Sequence, residues 1–136
     1  MQAAEKGFPE TPPQPFEEYF YFFYGTLMDR QTLADVLGYP EPPEVYPAKL
    51  HAYRMKLWGD YPAIFVDPFS TEIIHGVVYK VRSQEEEDRL VPYETGMYRT
   101  RGCTITFEDG SETTGRTFVW NAEMELLREG NFDLKH

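Results

Sequence analysis

The sequence predicts an α+β domain with a barrel-like sheet, and three observations lead there. The first is the stretch YFYFFYGTLMDRQTLADVL, Tyr19 to Leu37, which reads as strand, tight turn and helix. The second is a series of short apolar runs separated by Pro, Gly and Asp, ending in a hairpin pattern. The third is an aromatic content of 16% in only 136 residues, which suits a core or pocket walled by rings better than a bundle of Leu and Ala. That length is the natural size of one domain and needs no disulfide or metal staple.

Residues 1 to 17 carry Pro9, Pro12, Pro13 and Pro15 among polar residues. Such a composition buries too little to offset its ordering entropy, so a disordered tail is expected, with the domain running from 18 to 136. Six consecutive aromatics follow, Tyr19 to Tyr24. The run is too short for a membrane span and too uniformly apolar for a half-solvated strand, so a central strand buried on both faces is expected. After Gly25, Thr26 reads as an N-cap with Asp29 in the capping-box position. Leu33, Val36 and Leu37 then form the apolar stripe of a helix closed by Gly38.

Pro40, Pro42, Pro43 and Pro47 make a stiff connection in which neither helix nor central strand is expected. The stretch from Ala48 to Trp58 alternates over its second half as a strand does. Gly59 to Pro62 read as a turn, and Ala63 to Val66 as a short strand. Ile73 to Val81 is another strand, whose Gly76 marks a bulge or a close backbone approach. Ser83 to Leu90 reads as a helix with a Ser83/Glu86 capping box, a solvated run at Glu85, Glu86 and Glu87, and an end at Pro92. Tyr98 to Phe107 and Thr113 to Trp120 flank Asp109 and Gly110 as a hairpin, and Asn121 to Glu129 reads as a last helix ended by Gly130.

A formal charge of -10, from 23 acidic and 13 basic residues, argues against a nucleic-acid partner or an anionic membrane. The single cysteine, Cys103, can form no internal disulfide, and no secretory leader pattern opens the chain; both favour a cytoplasmic setting. Cys103 reads as an inert core thiol, since nothing links it to His51, His75 or His136. No phosphate loop, dinucleotide fingerprint, zinc spacing or nucleophile elbow occurs, so neither a metal nor a cofactor is expected.

What remains is a turn and a carboxylate. Backbone N–H groups around Gly25, Thr26 and Leu27 would lack intrahelical acceptors, which makes an anion site. The competing reading is an ordinary strand-to-helix corner whose glycine relieves backbone strain. Glu94, between Tyr93 and Tyr98, stands where rings could desolvate it and raise its pKa toward that of a general base; the plainer reading is a loop carboxylate capping nearby backbone.

YGTL at Tyr24 to Leu27, YPA at Tyr61 to Ala63, HGVVYKV at His75 to Val81, L-x-x-Y-E-x-x-x-Y-R at Leu90 to Arg99 and NFDL at Asn131 to Leu134 follow one another in an order and spacing that resemble the gamma-glutamylcyclotransferase-like superfamily. The likeness extends to its avirulence-induced-gene-like branch of plants and fungi. The resemblance implies a small mixed β-barrel with flanking helices. It implies that Tyr24, Gly25, Thr26 and Leu27 hold a small-molecule gamma-glutamyl substrate, that Tyr98 follows the catalytic glutamate in its motif, and that Glu94 moves the proton. The implied reaction is intramolecular cyclisation to 5-oxoproline with release of an amine, in the acyltransferase/lyase class. Where the family often has Asp after the motif leucine, this chain has Val91. A domain that binds the same ligands without turnover is the alternative, and an interaction module working through the Pro-rich tail is a third reading.

Overall fold

The computed structural model describes residues 18–93 and 96–130. Among them the chain runs β1 (Tyr19–Phe23), α1 (Arg30–Leu37), β2 (Tyr46–Leu50), β3 (Tyr53–Trp58), β4 (Tyr61–Val66), β5 (Ile74–Val81), α2 (Gln84–Tyr93), β6 (Tyr98–Phe107) and β7 (Glu112–Trp120). Short 3-10 turns lie at Thr26–Met28 and Met124–Leu126. The expected tail, Glu94 and the NFDL segment lie outside the described residues.

Strands β1, β5, β2, β6 and β7 close, in that order, into a barrel. All neighbours are antiparallel except β1 and β7, which run parallel from Phe20 opposite Gly115 to Phe22 opposite Thr117, so the barrel is mixed. β3 and β4 form a separate hairpin that lies against β7. The aromatic run behaves as expected for a strand covered on both faces. Phe22 and Tyr24 belong to one core cluster with Leu50, Ile74, Val78, Ile105 and Val119. Tyr21 and Phe23 belong to a second, with Leu33 and Leu37 of α1 and Leu90 of α2. Period-two alternation thus sends one set of rings to the barrel side and the other beneath the helices. Gly76 is a close approach rather than a bulge: its register with Ala48 is unbroken, and a Cβ there would collide with the Phe23 carbonyl oxygen and the Phe22 ring.

Several local expectations are overturned by the tertiary setting. The N-cap of α1 is Asp29, not Thr26. A 3-10 turn closed by Met28 N–H to the Gly25 carbonyl (3.0 Å) intervenes, and the Asp29 carboxylate accepts from the Thr32 N–H (3.0 Å). Pro47 stands inside β2. It pairs with Val77 on one side and precedes the short ladder to β6 that begins at Ala48, so its missing N–H breaks no rung there. Tyr61 and Pro62 belong to β4, because the hairpin needs only Gly59 and Asp60 to turn, with Gly59 at φ 60°.

The acidic run on α2 is only partly a solvated face: Glu85 is exposed as expected, but Glu86 is buried and Glu87 half-buried. Glu86 is only 6% exposed and accepts from the hydroxyls of Tyr39 and Tyr79 (2.8 Å) and from the Arg82 N–H (2.9 Å). The Ser83 cap is present, its hydroxyl accepting from the Glu86 N–H at 3.1 Å. Pro92 does not end the helix at Leu90 but lies inside the last turn of α2, which runs on to Tyr93; so close to the end, its missing N–H costs one rung without breaking the helix. No helix spans Asn121 to Glu129. The chain there makes a bridge to β3 instead, Leu57 and Arg128 exchanging both backbone bonds at 2.8 Å.

Candidate active site

A cavity of about 360 Å³ opens where β1 runs out into the YGTL turn. Phe22 and Phe23 end the strand, and Tyr24, Gly25, Thr26 and Leu27 continue as the turn. The rest of the lining comes from Trp58 of β3, Tyr61 and Pro62 of β4, Tyr98 of β6 and Phe118 of β7. No charged side chain lines the cavity among the described residues.

Its rings are held by their own polar ends. Tyr24 donates its hydroxyl to the Phe118 carbonyl at 2.7 Å, across 94 residues of sequence, and Tyr98 donates to the Pro62 carbonyl at 2.7 Å. Thr117 donates to the Phe22 carbonyl at 3.0 Å, pinning the end of β1 to β7. Trp58 stacks obliquely with its centroid 6.5 Å from Tyr61, 6.3 Å from Tyr98 and 5.4 Å from Trp120; Trp120 in turn donates its indole N–H to the Glu123 carbonyl at 3.1 Å. The Tyr24 and Tyr98 hydroxyls and the Trp120 indole N–H are thereby satisfied by backbone carbonyls.

The turn itself is tight. The Met28 and Asp29 N–H groups close it onto the Gly25 and Thr26 carbonyls, both at 3.0 Å, so the N–H groups of Gly25, Thr26 and Leu27 precede its internal bonds. Gly25 sits at φ -121° and ψ -139°, outside the ordinary helical and extended regions, and space is short there as well: a Cβ would meet the Pro62 ring at 3.2 Å.

All five residues expected to bind substrate, Tyr24, Gly25, Thr26, Leu27 and Tyr98, line this one cavity. Glu94 lies outside the described residues, in the connection between Tyr93 at the end of α2 and Tyr98 at the start of β6. Val91 is 40% exposed on α2. Trp58, Pro62 and Phe118 escaped sequence reasoning as site residues. For Tyr61 and Pro62 the YPA motif was a usable signal; for Trp58 and Phe118 there was none, since each reads as an ordinary strand aromatic. Histidines 51 and 75 are exposed and do not line the cavity. Burial pushes the Cys103 thiol up to about 12, so it stays protonated at neutral pH and serves as a packing group. No cluster of three or more metal-ligating side chains occurs among the described residues, and none of their helices is long and apolar enough to cross a membrane.

The family model for gamma-glutamyl cyclotransferase, AIG2-like, matches residues 21–134. Two solution structures of Arabidopsis thaliana proteins are similar to the chain. One is 24% identical with a TM-score of 0.69, covering 87% of this chain and 80% of its own. The other is 23% identical with a TM-score of 0.72, covering 92% and 74%. A protein named gamma-glutamyl cyclotransferase is 20% identical with a TM-score of 0.59, over 76% of this chain and 67% of its own. At these identities the structures share the fold. No curated protein sequence matches the chain.

Proposed function

Because the chain belongs to the AIG2-like gamma-glutamyl cyclotransferase family, we propose that it cyclises a gamma-glutamyl amine or peptide to 5-oxoproline and releases the amine. The observation that carries this reading is the convergence of Tyr24 to Leu27 with Tyr98, more than 70 residues away, on one cavity of ligand size.

In this mechanism the substrate's α-carboxylate or its developing oxyanion lies against the N–H groups of the turn. The α-ammonium, with a reference pKa near 8, is mostly protonated at neutral pH and cannot attack until it loses a proton. Glu94 takes that proton. The freed nitrogen attacks the side-chain carbonyl, the carbon–nitrogen bond to the leaving amine breaks, and Glu94 returns a proton to that amine. Ring closure is intramolecular and needs no enzyme nucleophile; holding the substrate folded supplies much of the acceleration. A cytoplasmic setting belongs to the same proposal, in keeping with the free, protonated Cys103.

The non-catalytic alternative draws on the uncharged lining of the described cavity and on Val91 in place of the family's aspartate. Incubation of the protein with gamma-glutamyl amides and peptides, followed by assay for 5-oxoproline, separates the two. Release of 5-oxoproline is the expected result; saturable binding without release establishes the alternative.

A further inference from the structure

We propose that the Trp58, Tyr61 and Tyr98 wall is the leaving-amine subsite, and that it selects gamma-glutamyl amides of uncharged, apolar and preferably aromatic amines. This rests on the cyclotransferase reading and adds the substrate class. Under that reading the turn takes the glutamyl end, leaving the ring cluster in the same cavity for the amine. Tyr61 is 58% exposed, more than any other lining residue, and therefore marks the mouth through which a released amine departs. It follows the Gly59–Asp60 turn at the tip of the β3–β4 hairpin.

The chemistry of the wall decides among amines. A peptide or amino-acid leaving group brings a second carboxylate, and no Lys or Arg among the described residues lines the cavity to meet it. A diamine brings a second ammonium. The ring faces would attract it, but apart from Glu94, which the proposed mechanism engages with the substrate's α-ammonium, no carboxylate among the described residues lines the cavity to offset the loss of its hydration. An apolar amine incurs neither cost and gains from burying its surface on the Trp58 and Tyr61 rings, which pack against each other with centroids 6.5 Å apart and planes tilted by 44°. The wall is also rigid: the Tyr98 hydroxyl is committed to Pro62, and Trp120 backs Trp58 at 5.4 Å.

The test compares gamma-glutamyl phenethylamide, gamma-glutamyl ethylamide, the monoamide of 1,4-diaminobutane and gamma-glutamyl phenylalanine as substrates of the full chain. The phenethylamide is expected to have the highest kcat/KM, about tenfold or more above the ethylamide, with both charged amides below the ethylamide. In Tyr61→Ser, an exposed position where folding is not at risk, and in Trp58→Leu, the phenethyl to ethyl ratio should fall to about threefold or less. Equal kcat/KM for the two neutral amides, or an unchanged ratio in both variants, overturns the subsite while leaving cyclotransfer intact. If no amide yields 5-oxoproline, cyclotransfer fails and the subsite is judged by binding. Both tryptophans of the chain lie in this cluster, so their fluorescence reports occupancy. Tighter binding of the phenethylamide, lost in Tyr61→Ser, upholds the subsite; equal binding of the two amides refutes it.

Discussion

Two tyrosine-rich regions of this small barrel use the same side chain in opposite ways. At the cavity, Tyr24 and Tyr98 donate their hydroxyls to backbone carbonyls and stand among the lining residues. Beneath and beside α2, Tyr21 donates to Glu87 at 3.0 Å, and Tyr39 and Tyr79 donate to Glu86, so the rings pack and the hydroxyls hold carboxylates in place. Arg116 joins the second region, bonding Glu87 at 3.0 Å and lying over the Tyr19 ring at 4.5 Å. A polar end tied back into the wall frees a ring to meet a ligand; a polar end tied to a helix carboxylate fixes the helix to the barrel. One region is therefore expected to govern activity and the other stability.

The sharpest separation comes from Glu94→Gln. Turnover should fall by about 10² to 10⁴ fold, the usual contribution of a general acid-base group, with the melting temperature unchanged. Near-normal 5-oxoproline release from the folded variant removes Glu94 from the mechanism. Conversely, Glu86→Ala should cost about 2–4 kcal/mol in stability, because it strands the hydroxyl of Tyr79 and the Arg82 N–H together with part of the Tyr39 contact. Urea titration measures it; a loss under about 0.5 kcal/mol would mean that water replaces the carboxylate, and that α2 is held by Leu90 and its apolar neighbours instead.

Alkaline pH probes the same region more gently. Burial first and Glu87 second push Tyr21 up to about 12, against an ordinary value of 10. Because the folded value is the higher one, the native state keeps a proton that the unfolded chain loses. The associated stability, on the order of 2 kcal/mol, is present below pH 10 and lost as pH rises through about 12. Denaturant midpoints should accordingly decline above pH 10, and Tyr21→Phe should flatten that decline. The mildest change expected is at the cavity: Gly25→Val should weaken binding of a competitive ligand about tenfold, as its side chain crowds the Pro62 ring already 3.2 Å from a bare Cβ. Unchanged affinity, with an intact circular dichroism spectrum, would reduce the turn to a corner.

Patterns confined to a few residues were legible in the sequence. The uninterrupted aromatic run announced a strand covered on both sides, Gly38 closed α1, Asp109 and Gly110 turned the β6–β7 hairpin, and the order of motifs pointed to the superfamily and its barrel. These follow from backbone sterics and side-chain period, which act over one or two turns of chain. The tertiary structure alone decided what each residue meets. Pro47 lies in a strand because its neighbour's ladder starts one residue later, Glu86 is buried because three donors surround it, and residues 127 and 128 abandon a helix for β3. The cavity is the clearest case: the turn at Gly25, the hairpin residue Pro62 and Tyr98 become neighbours only when the barrel closes, through contacts spanning 36 residues of chain and more. A residue's local pattern fixes its conformation, whereas its burial and its partners depend on surfaces brought in from elsewhere in the chain. The turn and Tyr98 could thus be read from sequence, while Trp58 and Phe118 in the same cavity could not.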